Sequence, residues 1–282
     1  MINAVEQSES VDTMRNVAVI LAGGIGQRMG SDVPKQFLEV DGKPIIVYTL
    51  ENFERNPSVT DVLIVCNPEW IDHCNDLVER FGLGKVRWVV PGGKTSHDST
   101  RNGVFFLKDV LEPSDFVIIH DAARPVLPQM AIDNMLDLAH ETGNASLAIP
   151  CYETVIRTED KKSGIDEIDR DTIMRVQTPQ AYRFSLLTDL YDKAEADGRH
   201  DFVYADLVAI HYGVRIYFSK GFINNLKITK PEDLHLFGYL LGLSEEELYQ
   251  RSRRFFAASF AFFISTASSY IRCIFSTYAA YE

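Results

Sequence analysis

A glycine-rich stretch near the start of the chain places the strongest constraint on its fold. Residues 21–37 read LAGGIGQRMGSDVPKQF, and the apolar run at residues 17–20 before them predicts a fully buried strand. Glycines allow a backbone to approach a bound anion closely and to present its N–H groups, and nearby cations add charge. The stretch therefore predicts a nucleotide phosphate loop that contains Leu21, Ala22, Gly23, Gly24, Gly26, Arg28 and Lys35.

Two well-known phosphate loops do not fit these residues. A Walker loop ends in Gly-Lys-Ser/Thr, and none follows here. A dinucleotide fingerprint has a third glycine where this chain has Met29, and the second predicted strand, residues 62–66, runs into Asn-Pro without a carboxylate for a ribose. A tight strand-to-helix turn with incidental charges is the structural alternative. The loop closely resembles that of the sugar- and polyol-phosphate cytidylyltransferases, with its G-G-x-G-x-R-M and later P-K pattern.

Short apolar runs alternate with helical patterns through the first half of the chain. The predicted strands lie at residues 17–20, 62–66, 86–90, 116–119 and 146–151, with a further strand at residues 214–218. Such alternation predicts an α/β protein with a doubly wound, mainly parallel sheet, which the resemblance refines to the Rossmann-like nucleotidyltransferase type. Binding sites in such sheets lie beyond the carboxyl ends of the strands, where the first loop, Gly92, Gly93 and Asp121 are expected to meet.

The charge and the cysteine content exclude several classes of protein. A net charge of −12 argues against broad binding to nucleic acid or to anionic membranes. The four cysteines lie far apart and form no C-x-x-C pair, which favours reduced thiols in the cytoplasm over disulfides or a cysteine zinc site. Residues 1–16 are largely polar and lack a signal-peptide pattern, so we expect a disordered lead-in and a cytoplasmic protein.

The segment at residues 120–125, HDAARP, carries a second group of candidates. A carboxylate just after a buried strand is costly unless it meets a cation or a metal. One interpretation is a structural ion pair between Asp121 and Arg124. In the cytidylyltransferases the corresponding segment borders the nucleotide and its magnesium, so the resemblance implies that Asp121 lies at a Mg²⁺ held mainly by the CTP phosphates. His120 is expected to be a packed core histidine.

Two further segments match motifs of this family. Gly92 and Gly93, followed by Ser99, correspond to a second glycine turn that receives the cytosine. The segment NLKITKPEDL at residues 225–234 corresponds to one that places a lysine on the triphosphate, which is Lys227 here. The resemblance implies one cytidylyltransferase domain over residues 17–243.

The alternation of strands and helices breaks after residue 151. Residues 152–175 predict a hairpin with a charged turn, and a two-stranded ribbon alone is marginal in water. In the family such an arm embraces a second subunit and completes its neighbour's site. The resemblance therefore implies a homodimer with shared active sites, in which Thr154 and Arg170 hold the acceptor phosphate, with Thr178 nearby. A solvent-facing hairpin in a monomer is the alternative.

The resemblance implies that CMP is transferred from CTP to a polyol phosphate. The acceptor phosphate is already an anion, so no general base is needed, and Arg28, Lys35 and Lys227 are the expected catalytic groups. The LAGGIG and KQF segments resemble those of ribitol-5-phosphate cytidylyltransferases more closely, and this resemblance implies ribitol 5-phosphate as the acceptor. The alternative is 2-C-methyl-D-erythritol 4-phosphate: the two alanines of HDAARP favour it, whereas residues 203–206 and Asn224 depart from the Thr-Asp-Glu-Ala motif and the aspartate of those enzymes. A non-catalytic nucleotide-binding protein is the alternative of a different class.

The resemblance ends at residue 243. Residues 244–248 predict a capped helix start, and residues 255–271 carry no charge. We expect a helical extension over residues 244–282. The sequence leaves its role open between a helix packed on the dimer, a helix that contacts a membrane surface, and non-native sequence.

Overall fold

The computed structural model describes residues 14–24 and 33–248 of the 282-residue chain. Gly26 and Arg28 of the first loop, most of the lead-in, and the extension beyond residue 248 lie outside the described residues. The strands are β1 (Asn16–Ala22), β2 (Glu39–Val40), β3 (Lys43–Pro44), β4 (Asp61–Cys66), β5 (Val86–Pro91), β6 (Phe116–Asp121), β7 (Asn144–Pro150), β8 (Val155–Arg157), β9 (Asp166–Ile168), β10 (Met174–Arg183) and β11 (Phe218–Lys220). The α-helices are α1 (Ile45–Arg55), α2 (Ile71–Arg80), α3 (Ser96–Phe106), α4 (Gln129–Thr142), α5 (Phe184–Ala196), α6 (Ala205–His211) and α7 (Pro231–Leu241).

The central sheet has seven strands in the order β11-β7-β10-β6-β1-β4-β5. β1 pairs in parallel with β4 on one side and with β6 on the other, and β4 pairs in parallel with β5. β10 is antiparallel to both of its neighbours, β6 and β7. The chain therefore winds outward in both directions from β1, which confirms the predicted doubly wound, mainly parallel sheet. The reversal of strand order at β1 marks the place where such sheets bind ligands.

Alternate residues of β1 face opposite sides of the sheet, and helices cover both sides. Ala18 and Ile20 belong to a buried cluster that includes Val47 of α1. Val17 and Val19 belong to a second cluster, which contains residues of α3, α5 and α6. A strand that is buried on both faces needs apolar residues at every position, which explains the unbroken apolar run before the first loop.

The structure confirms the predicted hairpin and corrects the predicted last strand. β8 and β9 pair in antiparallel fashion, as expected for the arm. The predicted strand at residues 214–218 is wrong, because β11 begins at the last of these residues and the others are irregular. The Asn144 side chain donates to the carbonyl oxygen of Arg215 over 3.0 Å and accepts from the N–H of Tyr217 over 3.2 Å. The Tyr217 carbonyl oxygen also accepts from the N–H of Ser146 in β7 over 2.9 Å, but a regular strand begins only at Phe218, and Val214 and Ile216 pack on the core.

The C-terminal part of the described chain contains the predicted helix start at residues 244–248. The Ser244 hydroxyl accepts from the N–H of Glu247 over 3.3 Å, and the Glu247 carboxylate accepts from the N–H of Ser244 over 2.9 Å. This reciprocal pair is a capping box. Within the described residues, no helix combines the length and the apolar character that crossing a bilayer requires.

Candidate active site

A cleft of about 470 Å³ lies beyond the carboxyl ends of β1, β4, β5 and β6. Its walls come from the loops that follow these strands and from two segments that are distant in sequence. The lining residues are Leu21, Gly23, Gly24, Lys35, Gln36, Asn67, Pro68, Gly93, Lys94, Thr95, Ser96, Ser99, Asp121, Ala122, Ala123 and Lys227. The sheet therefore brings the first glycine loop, the second glycine turn and the HDAARP segment to one place, as the sequence predicts.

Asp121 is the last residue of β6 and is 9% exposed. One carboxylate oxygen, Oδ1, lies 2.9 Å from Nζ of Lys227, and the other, Oδ2, accepts from Nε of Arg124 over 3.0 Å. Burial alone would raise the pKa of Asp121, but the charges of Lys227 and Arg124 outweigh it and hold the pKa well below its usual range. Asp121 is therefore ionised and positions both cations. The ion pair with Arg124 is the structural alternative weighed from the sequence, and Lys227 joins it.

Lys35 and Lys227 both line the cleft, and Lys35 is bonded to the residue that follows Lys227. Nζ of Lys35 donates to the carbonyl oxygen of Ile228 over 2.8 Å, although 193 positions separate the two residues. Ile228 in turn donates its N–H to the carbonyl oxygen of Ala123 over 2.9 Å, which ties this segment to the end of β6. Two of the three predicted catalytic cations are thus brought together, and Arg28, the third, lies outside the described residues.

Ser99 joins the two glycine-containing loops. Its hydroxyl oxygen accepts from the N–H of Gly93 over 3.1 Å and donates to the carbonyl oxygen of Thr95 over 2.9 Å. A Cβ on Gly23 would lie 3.1 Å from this hydroxyl, and one on Gly92 would lie 3.0 Å from it. The two loops therefore meet at a point where even a methyl group is crowded. Both lie beside Ser99, in the first turn of α3.

A family model described as IspD, 2-C-methyl-D-erythritol 4-phosphate cytidylyltransferase, matches residues 16–242. The chain belongs to the IspD family of cytidylyltransferases.

The relatives of this chain include enzymes named for two different acceptors. The chain is 40% identical over 222 residues to a ribitol-5-phosphate cytidylyltransferase of Lacticaseibacillus paracasei, covering 78% of this chain and 95% of that protein. It is 35% identical over 224 residues to a 2-C-methyl-D-erythritol 4-phosphate cytidylyltransferase of Clostridium botulinum, covering 79% and 95%. The solved structure of the Francisella tularensis 2-C-methyl-D-erythritol 4-phosphate cytidylyltransferase aligns with a TM-score of 0.69 and 25% identity, over 80% of this chain and 99% of that chain. These matches confirm the predicted fold class and enzyme class.

Residues that the sequence interpretation did not single out support the site of this IspD-family chain. The Gln36 side chain is buried, and its Nε2 donates to the carbonyl oxygens of Ala22 over 2.7 Å and Gly24 over 3.0 Å. It thereby fixes the start of the first glycine loop. Lys94 lines the cleft and adds a cation beside the second glycine turn. The position of Lys94 directly after the glycine pair could have indicated its place in the cleft. For Gln36, the sequence offered no signal other than the family motif in which it lies.

The predicted acceptor residues occupy two different environments. Thr178 is 1% exposed and its hydroxyl oxygen accepts from the N–H of Asp121 over 3.2 Å, so it lies beneath the cleft and faces Asp121. Thr154 and Arg170 lie on the arm and are exposed. Nη1 of Arg170 donates to the carbonyl oxygen of Tyr152 over 3.0 Å. Neither arm residue is among those that line the cleft of its own chain in the described residues.

His120 has the structural role that was expected of it. It is fully buried, and its Nε2 lies 3.1 Å from the carbonyl oxygen of Arg124. Burial lowers the pKa of His120 to about 4, so the ring is neutral at neutral pH. It packs edge-on against Phe53, with ring centroids 5.2 Å apart. Asp121 and its two cations thus face the cleft side of this segment, and His120 is part of the core behind them.

Proposed function

We propose that the protein transfers the cytidylyl group of CTP to ribitol 5-phosphate, giving CDP-ribitol and pyrophosphate. The observation that carries the acceptor assignment is the 40% identity to a ribitol-5-phosphate cytidylyltransferase over nearly the whole of that protein. The relative named for the methylerythritol acceptor is 35% identical over a similar length.

The reaction needs charge stabilisation more than proton transfer. The acceptor phosphate supplies an anionic oxygen that attacks the α-phosphorus in line, and pyrophosphate leaves. Lys35 and Lys227 stabilise the negative charge that develops on the phosphate oxygens, and Arg28 joins them from the first loop. Asp121 holds Lys227 in place before the substrate arrives, because the two side chains are already paired at 2.9 Å. A cation that is positioned in advance does not have to reorganise during the reaction.

The second glycine turn is the proposed cytosine site. Gly93 and Ser99 line the cleft, and Gly92 donates its N–H to the carbonyl oxygen of Cys66 over 2.7 Å. A backbone held this closely to its neighbours offers a pyrimidine fixed carbonyl and N–H groups and leaves little space for a purine. CTP is therefore expected to be preferred over ATP.

Mg²⁺ is the proposed cofactor, bound mainly through the CTP phosphates. Asp121 is the one carboxylate among the described residues that line the cleft. Its oxygens accept from Lys227 and Arg124, and a carboxylate has further lone pairs for a metal. Mg²⁺ is commonly held by one or two carboxylates together with substrate phosphates, so one acidic side chain fits such a site. When bound, the ion neutralises charge on the phosphates.

The proposed assembly is a homodimer in which each arm reaches the other subunit's cleft. The arm carries large apolar side chains that are exposed in the single chain: Ile156 and Ile165 at 57% each and Tyr152 at 43%. Exposed apolar groups of this size on a two-stranded ribbon favour a partner surface. The arm also carries Thr154 and Arg170, which are not among the described residues that line the candidate cleft of their own chain. We propose domain boundaries at residues 17–243, with residues 152–175 as this arm.

A specific observation keeps the methylerythritol acceptor as the second candidate. The family model and the solved relative both carry that name. This chain differs from those enzymes at residues 203–206, and there the ring of Tyr204 lies 5.7 Å from Nζ of Lys227. The difference therefore falls beside a catalytic cation, at the edge where an acceptor is expected.

A pyrophosphate-release assay with both acceptors tests the proposal. With CTP and Mg²⁺, the kcat/KM for ribitol 5-phosphate is expected to be roughly tenfold or more above that for 2-C-methyl-D-erythritol 4-phosphate. The reason is that a site built to hydrogen-bond every polar group of one substrate leaves some of its own groups unpaired with the other. A higher kcat/KM with 2-C-methyl-D-erythritol 4-phosphate would make that compound the assigned acceptor. CTP binding without pyrophosphate release with either would favour a non-catalytic nucleotide-binding protein, and equal rates with ATP would contradict the cytosine site.

A further inference from the structure

Three side chains that commonly bind metals meet outside the cleft. His97 is the second residue of α3, Glu195 is the last but one residue of α5, and His200 follows in the loop after that helix. Each offers one ligand atom, and these atoms all lie within 4.8 Å of one another. None of the three lines the cleft described above.

His97 is the member of this group that points to a ligand. It is 1% exposed, and within the described residues neither ring nitrogen has a hydrogen-bond partner. Its ring centroid lies 5.1 Å from that of Tyr191 and 5.8 Å from that of Phe202. Buried polar atoms are nearly always paired, and leaving them unpaired is unfavourable. Packing does not account for an imidazole here, because a phenyl ring would fill the same space without unpaired nitrogens.

Glu195 and His200 open the group to solvent. Their side chains are 35% and 44% exposed, and Nδ1 of His200 lies 3.2 Å from Oε1 of Glu195. Nη1 of Arg101 donates to the same oxygen over 2.8 Å and so fixes the carboxylate. The carboxylate has lone pairs beyond those that these two contacts use. Asp98, whose Oδ1 lies 3.8 Å from Nη1 of Arg101, offsets part of the guanidinium charge.

We propose that His97, Glu195 and His200 form a binding site for Zn²⁺ or a similar first-row transition metal. Two imidazoles and a carboxylate suit such ions, whereas Mg²⁺ and Ca²⁺ prefer oxygen ligands alone. A water from the exposed side supplies the fourth ligand. Ligands of a tetrahedral zinc lie about 3.4 Å apart, as bond lengths near 2.1 Å require. Binding therefore draws the exposed Glu195 and His200 side chains toward the buried His97.

The site would join two helices behind the nucleotide cleft. His97 lies in the same turn of α3 as Ser99, which contacts both glycine-containing loops. Glu195 lies at the end of α5. A bound ion stabilises the folded chain by mass action when the unfolded chain binds it less tightly, so the melting temperature is expected to rise with metal concentration.

Titration calorimetry tests the site. Untagged, chelator-treated full-length protein without nucleotide is titrated with Zn²⁺, and one ion per chain is expected. The variants Glu195→Gln and His200→Ala are expected to lower the affinity roughly tenfold or more, as the loss of a metal ligand does. His97→Phe preserves the aromatic packing and is also expected to lower the affinity for Zn²⁺ roughly tenfold or more. The matched control is His235→Ala, which removes an exposed histidine of α7 and should bind like the wild type.

Co²⁺ provides a second measurement, because its visible absorption distinguishes four-coordinate from six-coordinate binding. Four-coordinate absorption in the wild type that is lost in Glu195→Gln and His200→Ala supports the site. The proposal is overturned if the wild type binds no stoichiometric Zn²⁺, or if it binds one ion with an affinity that all three variants retain. Because Glu195 and His200 are exposed, their variants decide the matter even if His97→Phe fails to fold.

Discussion

Nζ of Lys227 lies 2.9 Å from Oδ1 of Asp121, across 106 positions of sequence. This pair connects the segment before α7 to the carboxyl end of β6, beside the reversal of strand order in the sheet. Arg124 reinforces the same link, since its Nη1 donates to the carbonyl oxygen of Asn225 over 2.8 Å. The cleft therefore holds its cations through a buried carboxylate before any phosphate is present, and the predictions below test that arrangement.

Asp121→Asn removes this charge and keeps the shape of the side chain. We expect kcat to fall by about 100-fold, as when one charge-stabilising group is lost, and the Mg²⁺ concentration for half-maximal rate to rise. A Mg²⁺ titration of the steady-state rate measures both effects. The exposed residue Asp72 of α2 gives a matched control, Asp72→Asn. An unchanged Mg²⁺ requirement in Asp121→Asn would remove this residue from the metal site.

Lys35→Ala and Lys227→Ala test the two proposed catalytic lysines. Each variant is expected to lower kcat by about 100-fold and to weaken CTP binding much less, because the charge matters most as the α-phosphorus gains its fifth bond. Initial rates and equilibrium CTP binding separate these effects, and Arg28→Ala is expected to behave in the same way. The control is Lys108→Ala, which removes a lysine paired with Asp192 at the surface. Normal turnover in Lys35→Ala would contradict the assigned phosphate loop.

Gly93→Ala tests the second glycine turn. A Cβ at this position would collide with Cβ of Asp98, and it would lie 3.1 Å from Cα of that residue, so the turn must shift. We expect the KM for CTP to rise and the preference for CTP over ATP to narrow. Gly84→Ala is the control, because its Cβ would lie 3.4 Å from a Glu54 oxygen in ordinary contact. Unaltered CTP kinetics in Gly93→Ala would place the cytosine elsewhere.

The neutral, buried His120 predicts a pH dependence of stability. The unfolded chain takes up this proton near pH 6.5, whereas the folded chain does so only at about 4. Between these values the unfolded state binds more protons, so the free energy of unfolding falls as the pH falls, by about 3 kcal/mol for this residue. Denaturant titrations of the wild type and of His120→Gln between pH 7 and pH 4 measure the difference. The exposed His235 supplies the control, His235→Gln, and a decline in His120→Gln as steep as in the wild type would contradict the prediction.

The parts of the site that could be predicted are those whose chemistry is local in sequence. Gly23 lies in a glycine loop after one buried strand, and Asp121 lies at the end of another. Because the carboxyl ends of parallel strands meet at the same edge of the sheet, these two residues were predicted to lie close together. The pairing of Lys227 with Asp121 was not predictable from spacing, because it depends on where a distant segment crosses the sheet. The family match suggested only that both contact the nucleotide.

Other features were hidden because tertiary contacts decide them. Residues 214–218 alternate like a strand, but only Phe218 belongs to β11. The Asn144 side chain bonds to the backbone of Arg215 and Tyr217, and no local sequence pattern indicates such a contact. The buried thiols of Cys66 and Cys74 lie 3.3 Å apart and share a hydrogen bond, a contact that their spacing in the sequence does not indicate. The group around His97 joins two helices that are nearly 100 residues apart, so no local motif indicates it.

The proposed shared active site is tested by mixing two dimers that are each expected to be inactive. Lys35→Ala is expected to disable the nucleotide half of its own cleft, whereas Arg170→Ala is expected to disable the acceptor half of the partner's cleft. Arginine binds phosphate through a planar fork of donors, so its loss should chiefly raise the KM for the acceptor, and the assay is run below that KM. After subunit exchange, the Arg170→Ala chain supplies an intact Lys35 and the Lys35→Ala chain supplies an intact arm.

One complete site therefore forms in each mixed dimer. Random exchange makes about half of the dimers mixed, each with one intact site of two, so activity should approach about one quarter of the wild-type value. Mixing Lys35→Ala with Lys227→Ala is the control, because both changes fall on the nucleotide half and no complete site can form. If the first mixture stays inactive although exchange is verified by mass spectrometry of tagged subunits, Arg170 serves the cleft of its own chain and the sites are not shared.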